Sequence, residues 1–214
     1  MEKDKSRHFF ETYTDYVLTH QKQPSSVYIF CKEIGEEEQE FYKYFASFSA
    51  LEENVFSTLF EETLTMLQNS EGYHEYDNKT KLLSFYFTFF ELLTANRSLI
   101  TYLLKAEKHD LKQLSKLKEL RKLFQAFIQS MDLNVVDIPK EKIQKIQGKA
   151  IDELAWGQFL LTLKFWMEDT SPSFEKTDLF IEKSVHASFD LMDLTPLKNI
   201  IDFGKFLWKE KMKM

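Results

Sequence analysis

Apolar residues recur every three or four positions along most of the chain, the spacing of one face of an α-helix. Phe10, Tyr13 and Val17 set that rhythm and predict a first helix over residues 7–20. Gln23-Pro24-Ser25-Ser26 interrupts it, and Ser25 or Ser26 offers a hydroxyl able to cap the next helix. Val27, Phe30, Cys31 and Ile34 predict a second helix that stops at Gly35, and a third short one is expected over residues 38–44. Gly35 is free to take the left-handed conformation of a sharp interhelical turn. Phe41 and Phe45, four apart, then fall on one face toward Val27, Phe30 and the first helix.

From Phe48 the predicted helices lengthen. Residues 51–68 are amphipathic, and residues 78–95 are apolar nearly all round, as expected of a helix surrounded by others. Two more helices are expected over residues 98–107 and 110–131. From Pro139 to Met167 two periodic runs are expected, joined near Gly148. Residues 173–192 form a further amphipathic stretch capped at Ser171 or Ser173, and Thr195-Pro196 opens a last helix.

Composition sharpens this all-α picture. Five Gly and four Pro in 214 residues argue against a turn-rich β architecture. Twenty-one Phe, nine Tyr and three Trp predict an aromatic interior, with room for an apolar ligand. The lone Cys31 excludes an internal disulfide and a multi-cysteine zinc site, and reads as a small buried residue. A charged N-terminus without an apolar leader, and no apolar run of bilayer length, lead to the expectation of a cytoplasmic protein. His8, His20, His74, His109 and His186 lack metal-ligand spacing, Gly35 and Gly72 are isolated, and no GxSxG elbow occurs. No catalytic residue, metal or cofactor is expected, and an enzyme is disfavoured.

The run from Ser26-Val27 through Gly35 to Phe41-Tyr42-Lys43-Tyr44-Phe45, continuing into Ser49-Ala50-Leu51, resembles the helix-turn-helix of TetR-family regulators. The resemblance implies a three-helix DNA-binding head over residues 1–47. It also implies a larger helical bundle for ligand binding and dimerisation over residues 48–214, with an extra C-terminal helix. Ser26, Tyr42, Lys43 and Tyr44 would position the head on the phosphate backbone, with Gln39 and Glu40 facing bases. The chain departs from the family's pattern at Glu36, Glu37, Glu38 and Glu40, and at Phe48, where a phosphate-binding lysine is common. Residues 1–47 carry six Lys/Arg against nine Asp/Glu, a net −3 in a chain of net −6, which weakens the expected attraction for DNA. One glutamate could still read cytosine N4.

The same resemblance implies an effector pocket and a two-fold dimer interface. Pocket candidates are Phe85, Phe89, Leu92, Tyr102, Phe124, Phe127, Trp156 and Phe159. Few polar groups accompany them, so a lipid, quinone or acyl chain is favoured over a charged effector. Leu163, Trp166, Phe180, Val185 and Phe189 are the leading interface candidates, with Leu160, Phe165, Met167, Leu179 and Leu191 around them. The segment from Pro196 to Met214 mixes Leu197, Phe203, Phe206 and Trp208 with five lysines, and its amphipathic pattern fits either packing on the body or a membrane surface. Two functions arise as expectations. One is a homodimeric regulator whose DNA binding responds to an apolar effector. The other, similar in architecture to TetR-fold proteins that bind a lipid or isoprenoid near a membrane, does without DNA.

Overall fold

The computed structural model describes the backbone of residues 2–104, 115–131, 133 and 141–193, and the side chains of residues 5–104, 115–131, 133 and 148–191. The final segment from Pro196, and the expected helical stretches over residues 105–114, lie outside these described residues. Within them the chain is all-α, with nine α-helices and no strand. They are α1 (Glu2–His20), α2 (Val27–Glu33), α3 (Glu38–Tyr42), α4 (Phe48–Gln68), α5 (Asn78–Ala95), α6 (Arg97–Leu104), α7 (Lys118–Ser130), α8 (Glu141–Glu168) and α9 (Glu175–Asp193).

Capping chemistry fixes several of the starts. Ser26 Oγ accepts from the Ile29 amide at 3.2 Å, Ser47 Oγ from Ala50 at 3.2 Å, and Asp77 Oδ1 from Thr80 at 2.7 Å. The start of α9 is more elaborate. Asp169 Oδ1 accepts from the Ser171 amide and hydroxyl at 2.8 and 2.7 Å, while Oδ2 accepts from the Thr177 amide and hydroxyl at 2.9 and 2.7 Å. Burial alone would raise the Asp169 carboxyl, but those four donors outweigh it and hold the group far below the usual carboxylate range. Ser171 Oγ also accepts from the Lys176 amide at 3.2 Å, five residues on. Ser173 instead lies in a short 3₁₀ turn with φ +51°.

The chain divides into two units. The first comprises Met1–Met66 with Thr88–Leu123, and the second Leu67–Phe87 with Phe124–Met214. In the first, Phe9, Tyr13 and Val17 form the buried stripe of α1, which packs on α6. Tyr13 and Val17 are buried as expected, but Phe10 is only half-buried and Phe9 takes its place in an i, i+4, i+8 row. Phe41 anchors the small end of this unit, with ring centroids 5.5 Å from Phe9, 6.3 Å from Phe30 and 5.6 Å from Phe48. Glu52, on α4, is a buried carboxylate. Its Oε1 accepts from Tyr13 at 2.5 Å and from Gln23 at 3.2 Å, and its Oε2 pairs with Lys116 at 2.9 Å. In the second unit Leu82, Phe85, Phe124, Ile128, Phe159, Leu163, Trp166, Ile181 and Val185 are buried.

Several boundaries differ from expectation, among them the start of the first helix, which lies at Glu2 and not at residue 7. The third helix ends at Tyr42, and the chain tightens through Tyr44 N to Phe41 O (3.0 Å) and Phe45 N to Phe41 O (3.0 Å). The fourth begins at Phe48, one turn early, because Ser47 caps it. The two runs expected to join near Gly148 are one helix of 28 residues. It holds two interior glycines, Gly148 and Gly157, each weakening it by about 1 kcal/mol, too little to break a long helix with neighbours on which to pack. Among the described residues no helix is long and apolar enough to cross a membrane.

Candidate functional site

The head is built around Gly35. At φ +74° it ends α2 in the left-handed conformation, and the Glu36 amide returns to Cys31 O at 2.8 Å, a Schellman closure. Two residues later Glu37 is the extended N-cap of α3, so the two short helices meet at a sharp turn. Buried Val27, Phe30, Cys31 and Phe41 hold them together, and burial pushes the Cys31 thiol up.

This turn gathers the candidate DNA-facing residues on α3 and its exit. Tyr42 is 51% exposed, Gln39 and Lys43 are exposed, and Tyr44 is half-buried with its ring 6.1 Å from Phe9. Ser26 lies at the start of α2, exposed and engaged as a cap. Three of these residues, Tyr42, Lys43 and Tyr44, already have carboxylate partners on α3. Tyr42 Oη donates to Glu38 Oε1 at 3.2 Å, Lys43 Nζ pairs with Glu40 Oε2, and Tyr44 Oη makes a longer 3.5 Å contact with Glu40 Oε1. Lys5, on α1, pairs with Glu36 at 2.9 Å. The charges respond accordingly. The hydrogen bond from Lys43 holds the Glu40 carboxyl below its usual range, and Glu40 raises Lys43 in turn. Glu36 likewise raises Lys5. Glu40 is thus turned along its own helix.

The eight pocket candidates divide between the units. Phe85, Phe124, Phe127, Trp156 and Phe159 come together in the second. Phe85 is 4.8 Å from Phe127 and 5.6 Å from Phe124, Phe124 is 5.0 Å from Phe159, and Trp156 stacks on Phe159 at 5.2 Å. Rings at these separations fill the space between them. Phe89, Leu92 and Tyr102 belong to the first unit, Phe89 buried and the other two half-buried.

The interface candidates separate by burial. Leu163, Trp166 and Val185 point into the second unit's own core, whereas Phe180 and Phe189 are half-buried. The outward apolar surface of α8 and α9 belongs instead to Leu154 (73% exposed), Leu161 (57%), Leu179 and Leu191. Between the two helices Phe165 stacks on Phe180 at 4.6 Å, lining a groove of about 440 Å³ with Leu179, Lys176 and Lys183. Sequence reasoning missed Leu154 and Leu161, although their seven-residue spacing is the signal of one helix face. It also missed the Glu52 cluster, because a carboxylate on an amphipathic helix reads as solvated until its partners arrive from remote positions.

No curated protein sequence matches the chain. Residues 81–207 match the family described as tetracyclin repressor-like, C-terminal domain, a span of more than half the chain that includes most of α5 and all of α6, α7, α8 and α9. With that match behind an all-α fold and a helical head turned at Gly35, the chain belongs to the TetR family of regulators.

Proposed function

We propose that this TetR-family chain is a homodimeric, ligand-responsive DNA-binding regulator, with residues 1–47 as the DNA head and residues 48–214 as the ligand and dimer body. The observation that carries this reading is the α2–Gly35–α3 turn: it leaves Gln39, Tyr42 and Lys43 exposed beside a rigid aromatic anchor, Phe41. The outward leucines of α8 and α9, with the Phe165–Phe180 groove between them, support a two-fold contact with a second copy. The rings of Phe85, Phe124, Phe127, Trp156 and Phe159, all in the second unit, favour an apolar effector, which would have to part them on entry. The test is a mobility-shift titration with random duplex DNA at about 50 mM salt, where a head of this kind should show salt-dependent binding. A protein that leaves the duplex untouched at low salt would end the DNA part of this reading.

A second reading, a TetR-fold protein that carries a lipid or isoprenoid near a membrane without using DNA, is favoured by the head's net charge of −3. Native mass spectrometry of the purified protein tests it. Co-purifying lipid together with no duplex binding is its expected signature, and deletion of Pro196–Met214 should then weaken liposome association.

A further inference from the structure

The carboxylates of α3 occupy the same donors that a DNA backbone would need. A phosphate offers anionic oxygens to Tyr and Lys donors. In this head Tyr42 is already bonded to Glu38, and Lys43 and Tyr44 converge on Glu40, one from each side. The spacings are i to i+4 for Glu38–Tyr42 and Glu40–Tyr44, and i to i+3 for Glu40–Lys43. The first pair lies within α3, and the tight turn at its exit, with Tyr44 N bonded to Phe41 O at 3.0 Å, keeps the other two within reach. Glu38 and Glu40 also sit in the first turn of α3, where the helix dipole favours negative charge. The arrangement is self-consistent: anion, donor and dipole are all satisfied within seven residues.

Resting on the DNA-binding reading above, we propose that Glu38 and Glu40 act as a built-in substitute for phosphate, competing with duplex DNA for Tyr42, Lys43 and Tyr44. An incoming backbone must displace these contacts and approach two carboxylates at short range, both of which oppose it. The consequence is a head with suppressed non-specific affinity. Only a site supplying further contacts, such as cytosine N4 donors able to use a released carboxylate, would overcome the competition.

The experiment compares wild type, Glu38→Gln/Glu40→Gln and a control of equal charge change, Glu61→Gln/Glu62→Gln, whose residues are exposed on α4. Each full-length protein is titrated with random duplex DNA at several salt concentrations, and circular dichroism confirms that each is folded. The α3 variant should bind on the order of tenfold tighter than wild type at low salt, with a salt slope steeper by about 1 to 2. The α4 control should match wild type, and adding Lys43→Met to the α3 variant should remove the gain. Equal binding by wild type and the α3 variant would overturn the competition while leaving the regulator reading intact. An equal gain in the α4 control would do the same, by reducing the effect to overall charge. Failure of every protein to bind would overturn both.

Discussion

At the scale of single residues, two side-chain positions set local geometry through different physics. Gly35 is required for its backbone. A Cβ there would meet nothing within 4 Å, so space is not the constraint; φ +74° is. Gly35→Ala should therefore cost about 1 kcal/mol from the left-handed backbone alone, and Gly35→Asn less, since Asn tolerates that region. Urea unfolding of the two variants checks the order, and an alanine variant as stable as wild type would contradict it. Asp169 is required for its charge. Its folded pKa lies below the unfolded value near 4, so its contribution is fully present above that value and is lost as pH falls toward the folded pKa. Asp169→Asn should cost about 2 kcal/mol at neutral pH, because the amide nitrogen cannot accept from its pair of donors. The variant's stability should also fall less steeply below pH 4 than that of wild type, which unfolding curves at pH 3 and pH 6 would reveal.

At the scale of elements, periodicity in the sequence carried most of the helices but not always their faces. The limits of α5 were legible because Asp77-Asn78 and Ala95-Asn96 flank a densely apolar stretch, and α2 because Ser26 and Gly35 bracket four spaced apolar residues. Two adjacent phenylalanines, Phe9 and Phe10, left the register of α1 open by one position, and only tertiary packing selects Phe9. On α8 the density of large apolar residues hid which side faces inward: Leu160, Leu161, Thr162 and Leu163 run consecutively, and Thr162 and Leu163 are the buried pair. That asymmetry yields a paired prediction. Leu163→Ala should destabilise the protomer by about 2 to 4 kcal/mol through the cavity it leaves. Leu161→Glu replaces an exposed side chain and should change protomer stability by less than about 0.5 kcal/mol. If α8 and α9 form the dimer face, Leu161→Glu should instead shift the protein toward monomer in light scattering after size exclusion. An unchanged dimer, or a protomer that unfolds as readily as Leu163→Ala, would remove Leu161 from that face.

At the scale of the molecule, the head is held to a remote part of the chain by a buried charge. Glu52 receives hydrogen bonds from Tyr13 on α1 and Gln23 before α2, while Lys116, more than sixty residues further on, supplies its cation and donates a second bond to Leu103 O at 3.2 Å. Residues 1–66 and 88–123 fall in one unit, so this pair lies inside it and joins sequence-distant segments. A buried carboxylate is costly without its counter-ion, and removal of one partner is therefore expected to hurt more than removal of both. Lys116→Met should destabilise the protein by about 3 kcal/mol, and Glu52→Gln/Lys116→Met by clearly less, because glutamine can still accept from Tyr13 and carries no charge to strand. A double-mutant cycle in urea reads the coupling directly. Because the cation comes from beyond residue 88, the single variant should loosen α1 and α4 even though neither helix is altered, and hydrogen exchange at Tyr13 and Glu52 amides would register it. A Lys116→Met protein with wild-type stability and unchanged exchange in α1 would mean that the pair is an ornament of the fold and not what binds the head to the rest of its unit.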